Sequence, residues 1–236
     1  MKIYYDFHIH TCLSPCGDND MTPNNIVNMA QIKGLDAIAI TDHNTYLNAE
    51  ACVKAAQQTD LIVIPGMEVE TSEEIHVVVL FPDCNKLAEF GKIITASLPL
   101  MKNKPAIFGE QIIMNSDDEI TGFEEQFLIT ASSLSIYDVC EYAASHGGVA
   151  ITAHIDKSSY SVISSLGCIP DDLHLTTVEV KNKQFPEKPE NISVLEKYNI
   201  IHNSDAHYLW DISEKENYID CESKNIESIL HKLSSR

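Results

Sequence analysis

Ile3-Tyr4-Tyr5-Asp6-Phe7-His8-Ile9-His10 sets Ile3, Tyr5, Phe7 and Ile9 in alternation with Tyr4, Asp6, His8 and His10. A period of two is the pattern of a β-strand, and it puts His8 and His10 on a common face, where both imidazoles can converge on one point. The pairing of a strand with ligand-type side chains recurs. Asp36-Ala37-Ile38-Ala39-Ile40-Thr41 runs into Asp42-His43, and Leu61-Ile62-Val63-Ile64 leads to Glu68. Ile75 to Phe81 is a fourth strand, reached without an intervening helix and carrying His76. Val149 to Ala153 ends at His154, Thr177 to Lys181 is a sixth strand, and Ile200-Ile201 opens a seventh that leads to Asp205 and His207.

Helices fall between these runs. Thr22-Pro23 reads as an N-cap with proline in the first turn, and the helix ends at Gly34. A second helix spans about Leu47 to Gln58. Ser135 and Asp138 form a capping-box start to a third, which Gly147-Gly148 closes. A last amphipathic helix covers Asn225 to Leu233. This alternation predicts an α/β fold with a largely parallel sheet. Ligand-type residues follow most of the strands, which favours a seven-stranded barrel, whose chemistry collects at one face. An open doubly wound sheet would draw its site from a few strand ends, and no glycine-rich phosphate loop is present.

The chain has 236 residues, 44% hydrophobic and 22% charged, enough for one sizeable core, and it reads as a single domain over 1–236. No apolar run approaches the ~20 residues of a membrane span. The opening Met1-Lys2-Ile3-Tyr4-Tyr5-Asp6 lacks the pattern of a signal peptide, so a cytoplasmic location is expected. A net charge of −19 makes a long nucleic acid an unlikely partner, because phosphate backbones demand basic surface. Arg236 is the one arginine, so a phosphate would be gripped by metal ions and lysines, with Lys157 and Lys181 as candidates. Seven irregularly spaced cysteines do not make a disulfide framework. Cys12 and Cys16 follow His10 closely, but no second close pair completes a structural zinc site.

Residues 83–134 break the repeat. A helix around Lys86 to Ala96 precedes a loop punctuated by Pro99 and Pro105. Glu110 to Met114 and Ile120 to Ile129 then flank Asn115-Ser116-Asp117-Asp118-Glu119 as a β-hairpin or lobe. Lying between strands 4 and 5, this insertion is expected over the barrel mouth, where it would shape substrate access.

The segments His8-Ile9-His10-Thr11, Ile40-Thr41-Asp42-His43, Gly66-Met67-Glu68, Ala153-His154 and Ser204-Asp205-Ala206-His207 resemble, in order, the motifs of the PHP (polymerase and histidinol phosphatase) superfamily. The resemblance spans nearly the whole chain except the insertion. It implies a distorted, TIM-like (β/α)7 barrel that holds two or three divalent ions (zinc, iron or manganese) and hydrolyses phosphoesters. Carried over by position, His8, His10, Glu68 and Asp205 would hold the first ion, with Glu68 bridging to a second held by His76 and His154. A third would take His43, His207 and an acid from the loop after the first strand. Asp18 is the choice, five residues before Pro23, with Asp20 the alternative. Asp42 would orient an imidazole from outside the ligand set. Glu68, Asp205 and His207 stand as the catalytic candidates.

These residues fit the implied chemistry. A carboxylate has two oxygens and can join two ions, and two ions ~3.5–4 Å apart clamp phosphoryl oxygens and supply a bridging hydroxide. The expected substrate is a small phosphorylated metabolite or nucleotide. The alternatives are a nuclease or repair-associated phosphodiesterase, an amidohydrolase-type enzyme acting on a non-phosphate bond, and a catalytically silent metal-binding protein. His146, His174, His202 and His231 read as ordinary polar residues.

Overall fold

The computed structural model describes residues 1–185 and 196–235. Eight strands form one mixed sheet: β1 (Lys2–Ile9), β2 (Ala37–Ile40), β3 (Ile62–Glu70), β4 (His76–Leu80), β7 (Val149–Thr152), β8 (Thr177–Glu179), β9 (Asn199–Ile201) and β10 (Tyr218–Asp220). Their order is β10-β1-β2-β3-β4-β7-β8-β9, and β5 (Ile112–Met114) pairs separately with β6 (Ile120–Phe123). The seven strands expected from the sequence are all present. β10 is an eighth, antiparallel to the start of β1, and its three residues carry no alternation long enough to read.

The expectation of a largely parallel barrel needs correction at β4, which runs antiparallel to both β3 and β7. Only five residues, Thr71 to Ile75, join β3 to β4. A parallel crossover needs a dozen or more, so the chain turns back as a hairpin. The turn is closed by Thr71 N–H to Ile75 O at 2.9 Å, with Glu74 at φ 58°. The sheet is therefore a curled half-barrel rather than a regular (β/α)7 barrel. At one end it is bridged by the chain after β9: Ala206 N–H donates to His8 O at 3.2 Å, and His10 N–H to Ala206 O at 3.0 Å.

Helices α1 (Pro23–Ile32), α2 (Ala49–Ala55), α3 (Cys84–Ser97) and α5 (Ile136–Ser145) begin close to where the sequence placed them. Thr22 caps α1, and Ser135 with Asp138 forms the expected capping box of α5. Their apolar faces pack on one side of the sheet, with Ile26, Val27, Phe90 and Val139 joining Ile38, Ile40 and Val63. The other side holds Tyr5, Phe7, Ala37, Ala39 and Ile64 against Ile229, Leu230 and Leu233 of α7 (Ile226–Ser234), which comes after the short α6 (Val162–Leu166). Fully buried side chains such as Phe7 and Phe90 each contribute roughly 1.5–3 kcal/mol of hydrophobic stabilisation.

β1 changes sides on the way. Ile3, Tyr5 and Phe7 belong to the α7 layer, whereas Ile9 belongs to the α1 and α2 layer. The pairing of β1 with β2 shifts register between Asp6 and Ile9. Irregularities of this kind re-aim side chains and collect beside functional sites. Strict alternation from 3 to 9 thus fails over its last two residues, which lie where His8 and His10 are set.

Between β4 and β7, α3 lies against β3 and the β5–β6 hairpin forms as expected, with the short helix α4 (Pro105–Phe108) between them. The hairpin packs on the start of α1 and on the loop that follows β2. Asn48 Nδ2 donates to Ile112 O at 3.0 Å, and Asn24 Nδ2 to Asp118 Oδ1 at 3.0 Å. Cys12 is buried there with Ile112 and Met114, its thiol on Ile112 O, and it takes no part in the cluster described next.

Candidate metal centre

The ends of β1, β2, β3, β7 and β9 and the start of β4 bring eight of the nine expected ligands together. Because β4 is reversed, its first residue, His76, lies at the end of the sheet where the parallel strands finish. Glu68 is the hub. Its Oε1 lies 2.8 Å from His76 Nδ1, 3.1 Å from His8 Nε2 and 3.4 Å from His154 Nε2. Its Oε2 lies 3.0 Å from His43 Nδ1 and 3.4 Å from His10 Nε2. Asp205 Oδ1 is 3.5 Å from His8 Nε2 and 3.4 Å from His10 Nε2. Gly66, two residues before Glu68, is required by the close approach of β3 to β4, since a Cβ there would meet Val79 O at 2.8 Å.

Three groups have donor atoms mutually within 4.8 Å: His8, His10, Glu68 and Asp205; His43, Glu68 and His76; and His10, His43 and His207. The first matches the set expected for the first ion. The other two share His43, which the sequence assigned to a single ion.

Several of these atoms are buried without any hydrogen-bond partner: His8 Nε2, His10 Nε2, Glu68 Oε2, His76 Nε2 and His154 Nδ1. Leaving one buried polar atom unsatisfied costs about 1–3 kcal/mol. Of these atoms, His8 Nε2, His10 Nε2 and Glu68 Oε2 belong to the facing cluster, which is shaped for cations, and the imidazole and carboxylate donors suit divalent metal ions. The backbone adds strain at the same place. His154 and Asp205 have φ of 29° and 53°, a conformation that costs a non-glycine residue about 1–3 kcal/mol.

Outside this cluster, neighbouring groups fix the imidazoles. Glu179, at the end of β8, contacts His8 Nδ1 at 3.0 and 3.2 Å, accepts from His154 N–H at 3.1 Å, and accepts from Asn203 Nδ2 at 2.7 Å. Asp42 accepts from Ser14 Oγ at 2.7 Å, and Ser14 Oγ lies 3.1 Å from His10 Nδ1. Asp42 therefore reaches an imidazole through a serine. Asp6 receives the N–H groups of Ser204 and Ser213 at 3.0 and 2.9 Å and so moors the loop that carries Asp205. Glu179 was missed from sequence. Its one signal is a lone acid inside an apolar strand.

Electrostatics follow from burial and company. Burial opposes charge on Glu68, but His76, His8 and His43 outweigh it and hold the carboxyl well below the usual range. Burial likewise opposes protonation of His8, and Glu179, Glu68 and Asp205 reverse the effect, raising its pKa well above the ordinary value. His10 is pushed down by burial and by His207 and His43.

Two expectations fare differently. Lys157 Nζ lies 2.6 Å from Asp205 Oδ2, at the edge of the cluster, and Lys181 Nζ bonds to Ser204 O beside it. Asp18 belongs to none of the three donor groups, and its Oδ1 accepts from Asp20 N–H at 2.9 Å, within its own loop. The tight turn before it carries the exposed Cys16, whose thiol pKa, despite the opposing effect of burial, is lowered to about 6 by the His207 and His43 imidazoles. Gly17 permits that turn, since a Cβ there would meet Thr11 O at 2.5 Å.

Comparison with known proteins places this geometry. A 5'-3' exoribonuclease of Haemophilus influenzae is 32% identical over 77 residues, covering 31% of this chain and 27% of that protein. The chain spans less than half the length of the curated relatives it matches. Among solved structures, the lesion-specific endonuclease Q of Pyrococcus furiosus superposes with a TM-score of 0.69 at 16% identity, over 99% of this chain and 56% of that one. A proposed metal-dependent phosphoesterase of Bifidobacterium adolescentis gives 0.64 at 17% identity, over 98% of this chain and 96% of that one. Likeness at such identity shows the fold. The model of the PHP domain matches residues 6–199, a span that holds six of the eight clustered residues, and the chain belongs to the PHP domain family.

Proposed function

We propose that this protein is a metal-dependent hydrolase of phosphate esters whose centre is organised by Glu68. The observation that supports the reading best is the convergence of five imidazoles within 3.4 Å of one buried carboxylate, with unpartnered donor atoms around it. His8, His10, Glu68 and Asp205 would hold one divalent ion, and Glu68, His76 and His154 a second, with His43 and His207 beside a third. Bound there, such ions supply an activated water and polarise phosphoryl oxygens.

The remaining work belongs to this chain's own groups. Glu179 fixes the ring of His8, and Asp42 fixes that of His10 through Ser14. Lys157 and Lys181 offer the positive charge that a phosphate needs beside the centre. No arginine is found among the described residues; the single one, Arg236, lies outside them. The substrate is a small phosphorylated metabolite or a nucleotide.

A second reading, cleavage of a phosphodiester at the end of a nucleic acid, has its own support. Tyr208 directly follows His207, and its ring stacks on Trp210 at 5.2 Å and 15°, with both side chains exposed. Exposed aromatic rings beside a phosphate site stack bases. The acidity of the chain was read as disfavouring a long nucleic acid. That argument loses weight because relatives sharing this domain are named as nucleases. No described helix is long and apolar enough to cross a membrane.

The test is to load the protein with manganese, zinc or iron and offer p-nitrophenyl phosphate, its bis ester, nucleoside monophosphates and short 5'-phosphorylated oligonucleotides. Ester hydrolysis that Glu68→Ala abolishes is expected. Trp210→Ala should lower turnover of the nucleotide substrates alone. Cleavage of amides with every ester left intact would overturn the proposal.

A further inference from the structure

Two side chains with no role so far flank His76, one from each neighbouring strand. The backbone N–H of His76 donates to Tyr160 O at 3.0 Å, and its carbonyl accepts from Ala153 N–H at 3.0 Å. Both groups therefore turn away from β3, so Glu70 and His76 face each other as register partners without backbone hydrogen bonds between them. Side chains stand closest in pairs of this kind. β3 alternates, with Met67 and Val69 in the helix-side core, which leaves Glu70 on the face of Glu68. Glu70 is only 6% exposed, yet its carboxylate makes no hydrogen bond or ion pair among the described residues. Its backbone is held instead: Glu70 N–H donates to Asn44 Oδ1 at 3.0 Å, and its carbonyl accepts from Ser132 N–H at 2.9 Å. A carboxylate enclosed to this degree is ordinarily paired, so its oxygens are left for a donor from a ligand.

Tyr160 lies on the other side, in the loop after β7. Its ring centroid is 4.9 Å from that of His76, and its φ of 55° is a conformation that residues with a Cβ seldom adopt. Although it leans on a buried imidazole, Tyr160 remains 45% exposed, and its hydroxyl makes no hydrogen bond among the described residues. Lys157 belongs to the same loop, where its carbonyl accepts from Ser161 Oγ at 2.7 Å. One turn thus sets both the lysine beside Asp205 and the ring beside His76.

We infer that Tyr160 and Glu70 determine specificity by holding the part of the substrate that is not phosphate: a flat ring lies on Tyr160, and an N–H or O–H of the same group donates to Glu70. The inference rests on the hydrolase reading above and adds to it which esters are preferred. An aromatic face stacks on a flat ring, and an ionised carboxylate can only accept. A ring that carries donors, as a nucleobase does, is therefore selected over a bare ring, and either is selected over an open-chain ester.

The test compares glycerol phosphate, phenyl phosphate and guanosine monophosphate on the metal-loaded protein, with metal per chain measured for every variant. Tyr160→Leu should lower kcat/KM for the two ring-bearing esters about tenfold relative to glycerol phosphate, and Tyr160→Phe should restore it. Glu70→Gln should lower kcat/KM for guanosine monophosphate about tenfold relative to phenyl phosphate, through KM. An unchanged ratio in Tyr160→Leu would overturn the ring contact, and an unchanged ratio in Glu70→Gln would overturn the donor contact. An equal fall on all three esters, with loss of metal, would make Tyr160 a support for His76 and overturn its part in specificity, while the hydrolase reading stands. A metal-loaded wild type that hydrolyses none of the three would remove both.

Discussion

Glu68 Oε1 lies 2.8 Å from His76 Nδ1 across two strands that run in opposite directions. Glu70, not Glu68, is the register partner of His76, so the imidazole reaches back along β3 to the carboxylate. One short hairpin does this. With β4 parallel to its neighbours, His76 would sit at the far end of the sheet from every other donor.

Glu68 is the residue whose loss should cost most. Glu68→Ala removes the carboxylate shared by two of the donor groups, so the protein should lose two metal equivalents and at least about 100-fold in turnover. His146→Ala, which alters a ring bonded to Tyr142 O at the end of α5, should leave metal content unchanged. Metal per chain and initial rates on the two purified variants check both statements.

Glu179 acts on the centre through His8 and His154. Glu179→Gln keeps the shape and removes the charge that fixes His8 Nδ1. Changes of this kind cost about 10–100-fold in metal affinity or activity. Competition with a chromophoric chelator measures the affinity, and an unchanged value would show that Glu179 merely fills space.

Metal binding should depend on pH with a definite sign. In the metal-free chain, burial disfavours the charged rings of His8 and His43, yet the carboxylates around them outweigh it and raise both pKa values well above the ordinary one. A raised folded-state pKa stabilises the metal-free protein at low pH, and this contribution is lost as pH rises through the folded value. Ion binding requires both rings to give up their protons. The gain in Tm on adding metal should therefore widen as pH rises from about 6 to 8. Thermal melts with and without metal across that range are the check, and a gain that shrinks with pH contradicts the assignment.

Lys157, tied to Asp205 Oδ2, should matter to substrate more than to metal. Lys157→Met should raise KM for a phosphate ester by about tenfold, a change worth about 1.4 kcal/mol, with metal content unchanged. A fall in metal content instead would make the lysine a support for Asp205 and not a phosphate contact.

Much of this was legible in the sequence because strand period and ligand type coincide. His8, His10, His43, His154, Asp205 and His207 follow or end runs that could only be strands, and their convergence follows once those strands share a sheet. Three features were not legible. The register shift in β1 leaves no trace in an alternating pattern that continues through Ile9. Glu179 looks like any acid in a short strand until His8 is beside it. The placement of Asp18 was not legible either, since its carboxylate accepts from Asp20 N–H within a loop whose tight turn depends on Gly17.

The most direct test of the account is elemental analysis of protein purified without chelators or a metal-affinity column, expressed as metal per chain. Two or three equivalents are predicted, falling by two in Glu68→Ala. One equivalent or fewer, not restored by adding manganese, zinc or iron, would contradict the multinuclear centre and leave a silent binding protein as the better description.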